Sequence, residues 1–278
     1  MVCGPTAGGK SALSDALAER LTRTEGRHVP TVAVDSMQVY RELPVITNQA
    51  RRRPAELVGV VSVTEEWTVA RHRTHAREII AKEATFVLDA GTGMYLNAIL
   101  LDISLAPRVS PELRNLAQEA AEGDSNPRRA ARAKELELAG AGGRGSIWEG
   151  DLRYDTAILY LRPERHALDA AIDERSRRIA TNGLHEAQRL QEMATAGERI
   201  NPQVMDSVGV RELTMHLEGT LSQQLAQDFI ATRTSRLARR QMRWFDKLAR
   251  TLEGRARITV VDGPYTRILH NMHDIIGI

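Results

Sequence analysis

Gly4-Pro5-Thr6-Ala7-Gly8-Gly9-Lys10-Ser11 (GPTAGGKS) is the stretch that decides the fold of this chain. It meets the pattern G-x-x-x-x-G-K-[ST], in which glycines let the backbone curl and aim several N–H groups at one anion. The N-terminus of the following helix adds partial positive charge, Lys10 adds a full charge, and the Ser11 hydroxyl suits Mg²⁺. This phosphate loop (residues 4–11) predicts a site for a diphosphate or triphosphate, built from Gly4, Thr6, Ala7, Gly8, Gly9, Lys10 and Ser11.

The residues around the phosphate loop alternate between strand and helix patterns. Short apolar runs at residues 1–3, 31–35, 85–89, 155–161 and 257–261 are typical of buried parallel strands. Amphipathic stretches at residues 10–23 and 69–83 indicate helices. This order predicts an α/β fold, a P-loop parallel sheet of the nucleotide-kinase type that is flanked by helices.

Residues 106–150 interrupt this pattern. They combine several prolines, an Ala/Glu/Arg-rich stretch and the glycine-rich run AGAGGRG at residues 139–145. We interpret them as a small helical insertion. The catalytic core is then expected to comprise residues 1–105 and 151–278, with the late strands and helices completing it.

Composition excludes several classes of protein. The 278 residues contain 27% charged side chains, carry a net charge of +2 and include a single cysteine, which excludes a disulfide framework and a cysteine-based zinc site. No apolar run reaches the ~20 residues that span a bilayer, and the start MVCGPT has no secretory pattern, so we expect a cytoplasmic protein without a membrane partner. His72 and His75 are spaced for metal binding, but RHRTH is more typical of a solvated basic helix face.

Asp35 is the main candidate for chemistry outside the loop. It ends the second predicted strand, and ligands of open α/β sheets bind at the carboxyl ends of the strands. A carboxylate there can bind Mg²⁺, accept a proton as a general base, or cap a turn. The residues alone leave these three roles open.

Five motifs together resemble those of the tRNA dimethylallyltransferases, also called tRNA isopentenyltransferases. They are GPTAGGKS (4–11), DSMQVYR (35–41), AGTGMYL (90–96), SVGVREL (207–213) and ARRQMRWF (238–245), in the order and approximate spacing of that family. The resemblance implies transfer of a prenyl group from dimethylallyl diphosphate to the exocyclic amine of an adenine in the anticodon loop, with Mg²⁺ as cofactor. It also implies that Asp35 is the base, that Thr92 positions the reacting groups and that Arg211 contacts the diphosphate.

Basic residues recur along the last long helical stretch. Arg233, Arg236, Arg240, Arg243, Lys247 and Arg250 follow one another at steps of three or four residues, which places them in one stripe of a helix. Such a stripe is typical of a nucleic-acid backbone track, although a solvated helix face is the alternative. The resemblance implies tRNA contacts at Asp35, Ser36, Met37, Gln38, Thr92, Arg114, Arg128, Arg129, Arg132, Arg240, Gln241, Met242, Arg243, Trp244, Phe245 and Asp246.

The chain departs from the family pattern in ways that put the acceptor in doubt. The insertion is shorter than usual, residues 55–60 (AELVGV) replace a PHH segment, and Ala90, Val210 and Ser235 stand where Gly, Tyr and Arg are common. A monomeric tRNA prenyltransferase is the main hypothesis. The alternatives are a prenyltransferase acting on a free adenine nucleotide, and a P-loop small-molecule kinase or a catalytically idle tRNA-binding relative.

Overall fold

The computed structural model describes residues 1–107, 109–125, 127–140 and 146–262. The chain divides into two compact units. One comprises Met1–Ile99 together with the chain from Tyr154 onward, and the other is Leu100–Arg153. The second unit therefore begins before residue 106 and ends after residue 150, the bounds expected for the insertion.

A parallel sheet forms the centre of the first unit. Its five strands have the order β2-β3-β1-β4-β5 within the described ranges. They are β1 Val2–Cys3, β2 Thr31–Val34, β3 Val87–Ala90, β4 Ala157–Leu161 and β5 Arg257–Val261. The short β1 is central, because Val2 pairs with both Asp89 of β3 and Leu159 of β4. The predicted α/β fold and each predicted strand are confirmed.

Helices follow the strands in the predicted alternation. They are α1 Lys10–Glu25, α2 Val69–Ile80, α3 Gly93–Leu100, α4 Pro111–Ala120, α5 Pro127–Leu138, α6 Arg165–Asn182, α7 Leu184–Thr195, a 3₁₀ turn Pro202–Asp206, α8 Val210–Leu217 and α9 Gln223–Thr251. Leu13, Leu17 and Leu21 of α1 pack with Val2 and Leu159 of the sheet. Their spacing of four residues is what places them on one face of the helix.

The two longest helices meet beside the phosphate loop. Leu168 and Ile172 of α6 pack with Ala238 of α9, and Ala7 of the loop packs against the same cluster. The Ser222 hydroxyl caps α9 by accepting from the Leu225 N–H at 3.2 Å. This packing fixes α9 against the loop that the sequence identified as the anion site.

A buried ion triad joins α1 to the sheet. Arg51 donates to Asp15 Oδ1 and to Asp89 Oδ2, each at 2.7 Å, and all three side chains are at most 4% exposed. Sequence analysis did not predict this triad, because its members lie in three separate segments. Removing one partner would leave a buried charge uncompensated, which typically costs about 3–5 kcal/mol.

The second unit contains α4 and α5. Ser110 caps α4 by accepting from the Leu113 N–H, and Glu112 follows in its first turn. The two ends of the unit meet in an antiparallel bridge between Leu101 and Leu152, beside an ion pair of Asp102 with Arg153 at 2.7 Å. No helix in the described ranges is long and apolar enough to cross a membrane.

His72 corrects one expectation from the sequence. It is fully buried, its Nδ1 accepts a hydrogen bond from Trp67 Nε1 at 3.0 Å, and its ring packs against Tyr95. His75 stacks on Trp67 and lies 3.5 Å from Glu78. His72 is therefore not part of a solvated basic face, whereas the His75 side chain is 45% exposed. Burial lowers the pKa of His72 from 6.5 to about 4, because the charged ring would lose its hydration.

This buried histidine predicts a loss of stability in mild acid. The unfolded chain binds a proton at His72 below about pH 6.5, whereas the folded chain does so only near pH 4. Full stability is present above pH 6.5, and about 3 kcal/mol is lost as the pH falls to 4. The free energy of unfolding, measured with urea from pH 7 to pH 4, should fall less for His72→Gln than for the wild type. The glutamine retains an acceptor for Trp67. His75→Gln should lose stability with falling pH as the wild type does. If the free energy of unfolding of His72→Gln falls with pH as steeply as that of the wild type, His72 does not cause the loss.

Candidate active site

The phosphate loop leaves β1 and closes on the first turn of α1. A Cβ atom at Gly4, whose φ is +151°, would lie 2.5 Å from the Leu161 carbonyl oxygen, so glycine is required there. Ala7 and Gly9 take left-handed φ values of 61° and 85°, which curl the chain. The Gly8 N–H donates to the Pro5 carbonyl at 3.2 Å. The curled backbone at a helix N-terminus forms the anion cradle that the motif predicts.

Lys10 supplies the full positive charge of this cradle. Its Nζ donates to the Pro5 carbonyl at 2.8 Å, so the side chain folds back over the loop. Burial lowers the pKa of Lys10, and the neighbouring carboxylates of Asp89 and Asp35 oppose that shift. A partly desolvated ammonium attracts an anion more strongly than one in bulk water does.

Asp35 uses its two carboxyl oxygens differently. Oδ1 accepts from the N–H groups of Met37 at 2.8 Å and Gln38 at 3.3 Å, which is a turn cap. Oδ2 points toward Gly91, where a Cβ atom would lie 2.7 Å from it. Burial raises the pKa of Asp35, while the Met37 N–H and the Lys10 charge act in the opposite direction. Turn capping and general-base chemistry are thus compatible in one side chain.

The segment after β3 supports Asp35 from the other side. Thr92 Oγ1 accepts from the Ser36 N–H at 3.1 Å, and the Thr92 N–H donates to the Val34 carbonyl at 3.0 Å. These bonds tie the end of β3 to the loop after β2. Gly91 is required at this junction because any side chain would collide with the Asp35 carboxylate.

A cavity of about 420 Å³ opens between these segments within the first unit. Its walls bring together the predicted residues Thr6, Ala7, Gly9, Lys10, Ser11, Asp35, Met37, Gln38 and Gln241. Asp89 and Gly91 at the end of β3 complete the wall beside Lys10. Thr92 lies behind this lining, where it holds Ser36.

The cavity is also lined by two cations that were not predicted from the sequence. Arg175 and Arg178 project from α6, where Arg175 donates to the Ile46 carbonyl at 3.4 Å and Arg178 donates to Asn48 Oδ1. Burial lowers the pKa of Arg175 to about 10, a shift that the charge of Asp35 opposes and that of Arg178 increases. No motif in the sequence marks these arginines.

Arg211 lies outside the cavity lining. It is exposed in the first turn of α8, whereas Ser207 and Val208 just before it do line the cavity. Its contact with a diphosphate therefore stays a prediction from the resemblance. The cations that the cavity lining includes are Lys10, Arg175 and Arg178.

The basic stripe on α9 keeps all but one of its predicted members. Arg236, Arg240, Arg243, Lys247 and Arg250 are exposed along the helix, as is Arg239, which was not assigned to the stripe. Arg233 is the exception: it donates to Glu212 Oε1 at 2.7 Å and to the Asp206 carbonyl at 3.0 Å. The ion pair with a buried glutamate removes Arg233 from the basic surface.

The aromatic end of the ARRQMRWF motif also corrects the prediction. Phe245 is 1% exposed and packs against Tyr160, so its side chain offers no surface to RNA. Asp246 accepts from Tyr160 Oη at 2.9 Å and from Arg162 Nε at 3.2 Å. Trp244 donates from Nε1 to Asn97 Oδ1 at 3.3 Å. These side chains anchor α9 to the core.

Met242 and Gln241 also face inward. Met242 packs against the cluster formed by α6 and α9. Gln241 is 9% exposed, and its amide bonds to the phosphate loop and to the segment after β3. Among the predicted RNA contacts of this motif, Arg240 and Arg243 are the exposed ones.

The four arginines of the second unit that are predicted to contact RNA belong to α4 and α5. Arg114 lies on α4, half-buried. Arg132 of α5 donates to Glu135 and to the Pro107 carbonyl, the latter at 3.1 Å. The side chains of Arg128 and Arg129 lie outside the described part of the chain. RNA contacts at these four positions stay predictions.

The cavity fits a phosphate-bound magnesium ion better than a metal held by protein alone. In the described part of the chain, no three His, Cys, Asp or Glu side chains gather in a group able to hold a metal. Mg²⁺ commonly uses one or two protein oxygens and completes its shell with phosphate oxygens and water. Ser11 lines the cavity next to Lys10, where such an ion would meet the bound phosphates.

Comparisons with known proteins agree with this geometry. The IPP transferase family model matches residues 38–139 and 124–248. The tRNA dimethylallyltransferase of Rubrobacter xylanophilus is 62% identical over 282 residues, which cover 99% of this chain and 97% of that protein.

Two solved structures share the fold. The full-length tRNA isopentenylpyrophosphate transferase of Bacillus halodurans has a TM-score of 0.69 at 24% identity, covering 99% of this chain and 94% of the other. A eukaryotic dimethylallyltransferase acting on tRNA has a TM-score of 0.73 at 23% identity, covering 99% and 75%. With the family model matched over most of its length, this chain belongs to the IPP transferase family.

Proposed function

We propose that this chain transfers a dimethylallyl group from dimethylallyl diphosphate to the exocyclic amine of an adenine in a tRNA anticodon loop. The observation that carries the proposal is that Asp35 lines the same cavity as Lys10 and Ser11 of the phosphate loop. A proton acceptor and an anion cradle in one cavity suit a reaction that releases diphosphate and deprotonates an amine. The name of the Rubrobacter relative supports the same activity.

The phosphate loop and its cations act on the leaving group. As the bond between the allylic carbon and oxygen breaks, its electron pair stays on the diphosphate oxygen. Lys10 and Arg175 line the cavity where this charge develops, together with Thr6, Ala7 and Gly9 of the phosphate loop. Magnesium, held by Ser11 and the phosphates, would neutralise further charge on the diphosphate.

Asp35 acts on the acceptor. The adenine amine forms a bond to the allylic carbon and loses a proton, which Asp35 Oδ2 accepts while Oδ1 stays bound to the Met37 N–H. The raised pKa of Asp35 makes the carboxylate a stronger base than an exposed aspartate. Its negative charge also favours the cationic allylic carbon.

Arginines on α9 suit the phosphate backbone of the acceptor. Arg239, Arg240 and Arg243 are exposed on the helix whose inner face lines the cavity through Leu237 and Gln241. A tRNA held on this face can present an unpaired anticodon-loop base to the cavity. We further propose that the protein acts as a monomer in the cytoplasm.

The acceptor can be identified directly. Purified protein is incubated with labelled dimethylallyl diphosphate, Mg²⁺ and either undermodified tRNA, AMP or ATP. Label in tRNA alone is the expected result. Label in AMP or ATP would instead indicate a free-nucleotide prenyltransferase, and transfer to none of them would overturn the proposal.

Asp35→Asn tests the assignment of the base. The asparagine keeps an oxygen for the Met37 N–H but cannot accept the proton, so the single-turnover rate should fall about 10²- to 10⁴-fold. Diphosphate affinity, measured by calorimetry, should stay the same or increase because a negative charge is removed. In the wild type, the rate should decline as Asp35 becomes protonated. Because its pKa is raised, this should occur at a pH above 3.8, the ordinary aspartate pKa. Asp228→Asn is the control, and a rate for Asp35→Asn within a factor of a few of wild type would refute the role.

Arg175→Ala tests the cation on α6. Loss of a charge-assisted hydrogen bond costs about 1.5–3 kcal/mol, so the Kd for Mg²⁺-diphosphate should rise roughly 10- to 100-fold. Arg189→Ala removes the same charge from an exposed position of α7, away from the cavity lining, and should leave the Kd unchanged. Equal affinities of the two variants would show that Arg175 does not contact the anion.

A further inference from the structure

Glu186 is a buried carboxylate that lies outside the cavity lining. It belongs to the first turn of α7, and its side chain is 2% exposed. Its Oε1 accepts from the Val45 N–H at 2.6 Å, and its Oε2 accepts from the Ile46 N–H at 2.9 Å. The exposed ring of His185 lies 4.0 Å from Oε1. A buried carboxylate needs hydrogen bonds in place of its lost water, and these two backbone donors supply them.

Ile46 connects this carboxylate to the cavity, which it lines. While its N–H is bound by Glu186, its carbonyl oxygen accepts from Arg175 at 3.4 Å. Its side chain is 1% exposed and fills the space above two glycines. A Cβ atom at Gly183 would lie 3.0 Å from Ile46 Cγ1, and one at Gly209 would lie 3.4 Å from Cγ2. Both the backbone and the side chain of Ile46 are therefore held in one place.

The next two residues of this cavity wall have a different anchor. Gln38 Nε2 donates to the carbonyl oxygens of Thr47 at 3.2 Å and Asn48 at 3.1 Å. The Asn48 side chain in turn accepts from Arg178. Separate groups thus hold the part of the wall that meets each cavity arginine, and Glu186 holds the part at Ile46.

We infer that Glu186 is a positioning residue that orients Arg175 toward a bound diphosphate by fixing the backbone of Ile46. The inference rests on the proposed function, since it takes the anion in the cavity to be a diphosphate. A guanidinium group carries five N–H donors in a planar fork, so an acceptor on the wall for one donor sets the direction of the others. Glu186 thereby affects anion binding without contacting the anion.

Two substitutions weaken this anchor to different extents. Glu186→Gln retains one oxygen acceptor, but its amide nitrogen places a donor against the second backbone N–H. Glu186→Asp keeps both acceptor oxygens on a side chain that is shorter by one methylene, so its two hydrogen bonds are longer. Glu192→Gln makes the same change as the first variant at an exposed position of α7 and serves as the control.

Calorimetry of the full chain with Mg²⁺ and inorganic diphosphate tests the inference through a double-mutant cycle. Glu186→Gln should raise the Kd roughly tenfold, because a buried donor loses its acceptor and the wall shifts. Glu186→Asp should raise it less, and Glu192→Gln should leave it unchanged. In a chain that already carries Arg175→Ala, Glu186→Gln should have no further effect on the Kd, because the group that it orients is absent.

The cycle separates positioning of Arg175 from a general structural role. The inference is overturned, while prenyl transfer stands, if Glu186→Gln binds diphosphate as the wild type does. It is equally overturned if Glu186→Gln raises the Kd by the same factor with and without Arg175. Failure of the wild type to bind Mg²⁺-diphosphate would overturn the proposed function as well. If Glu186→Gln does not fold, as judged by its Tm, the same cycle with Glu186→Asp decides the question.

Discussion

The site depends on holding two negative groups, a diphosphate and the Asp35 carboxylate, in one cavity of about 420 Å³. Two negative groups within one cavity repel each other strongly unless cations lie between or around them. Lys10 and Arg175 face the cavity from the loop and from α6, and both interact with the charge of Asp35. The raised pKa of Asp35 reflects the burial that this arrangement imposes, and it is also what makes the carboxylate a useful base.

The fold meets this constraint by bringing the carboxyl ends of adjacent strands to one edge. The phosphate loop follows β1, Asp35 follows β2 and Gly91 follows β3, with the order β2-β3-β1 placing β3 between the other two. Arg51 ties α1 to β3 in the core below, through Asp15 and Asp89. Helices α6 and α9 complete the cavity lining, and α6 supplies Arg175 and Arg178.

Local features of the fold and site could be predicted from the sequence, but the partners of side chains in distant segments could not. The phosphate loop, the strands and Asp35 follow from patterns within a few residues, and the structure contains each of them. Arg175 was missed because one arginine in a charged helix carries no local signal. The opposite error was to place Arg233, Phe245 and His72 on exposed faces, which their local sequence patterns suit. Residues elsewhere in the chain bury Phe245 and His72 and pair with Arg233. Side-chain partners across distant segments are decided by packing.

In the proposed reaction the diphosphate is the leaving group and the five-carbon chain is transferred, whereas a P-loop kinase with a similar cradle transfers a phosphoryl group. Dimethylallyl diphosphate labelled with a heavy oxygen isotope at the oxygen that bridges carbon and phosphorus tests this most directly. After a single turnover with tRNA, mass spectrometry should find the label in the released diphosphate, because the carbon–oxygen bond breaks. Label retained on the five-carbon fragment, with phosphate transferred to an acceptor, would contradict the account.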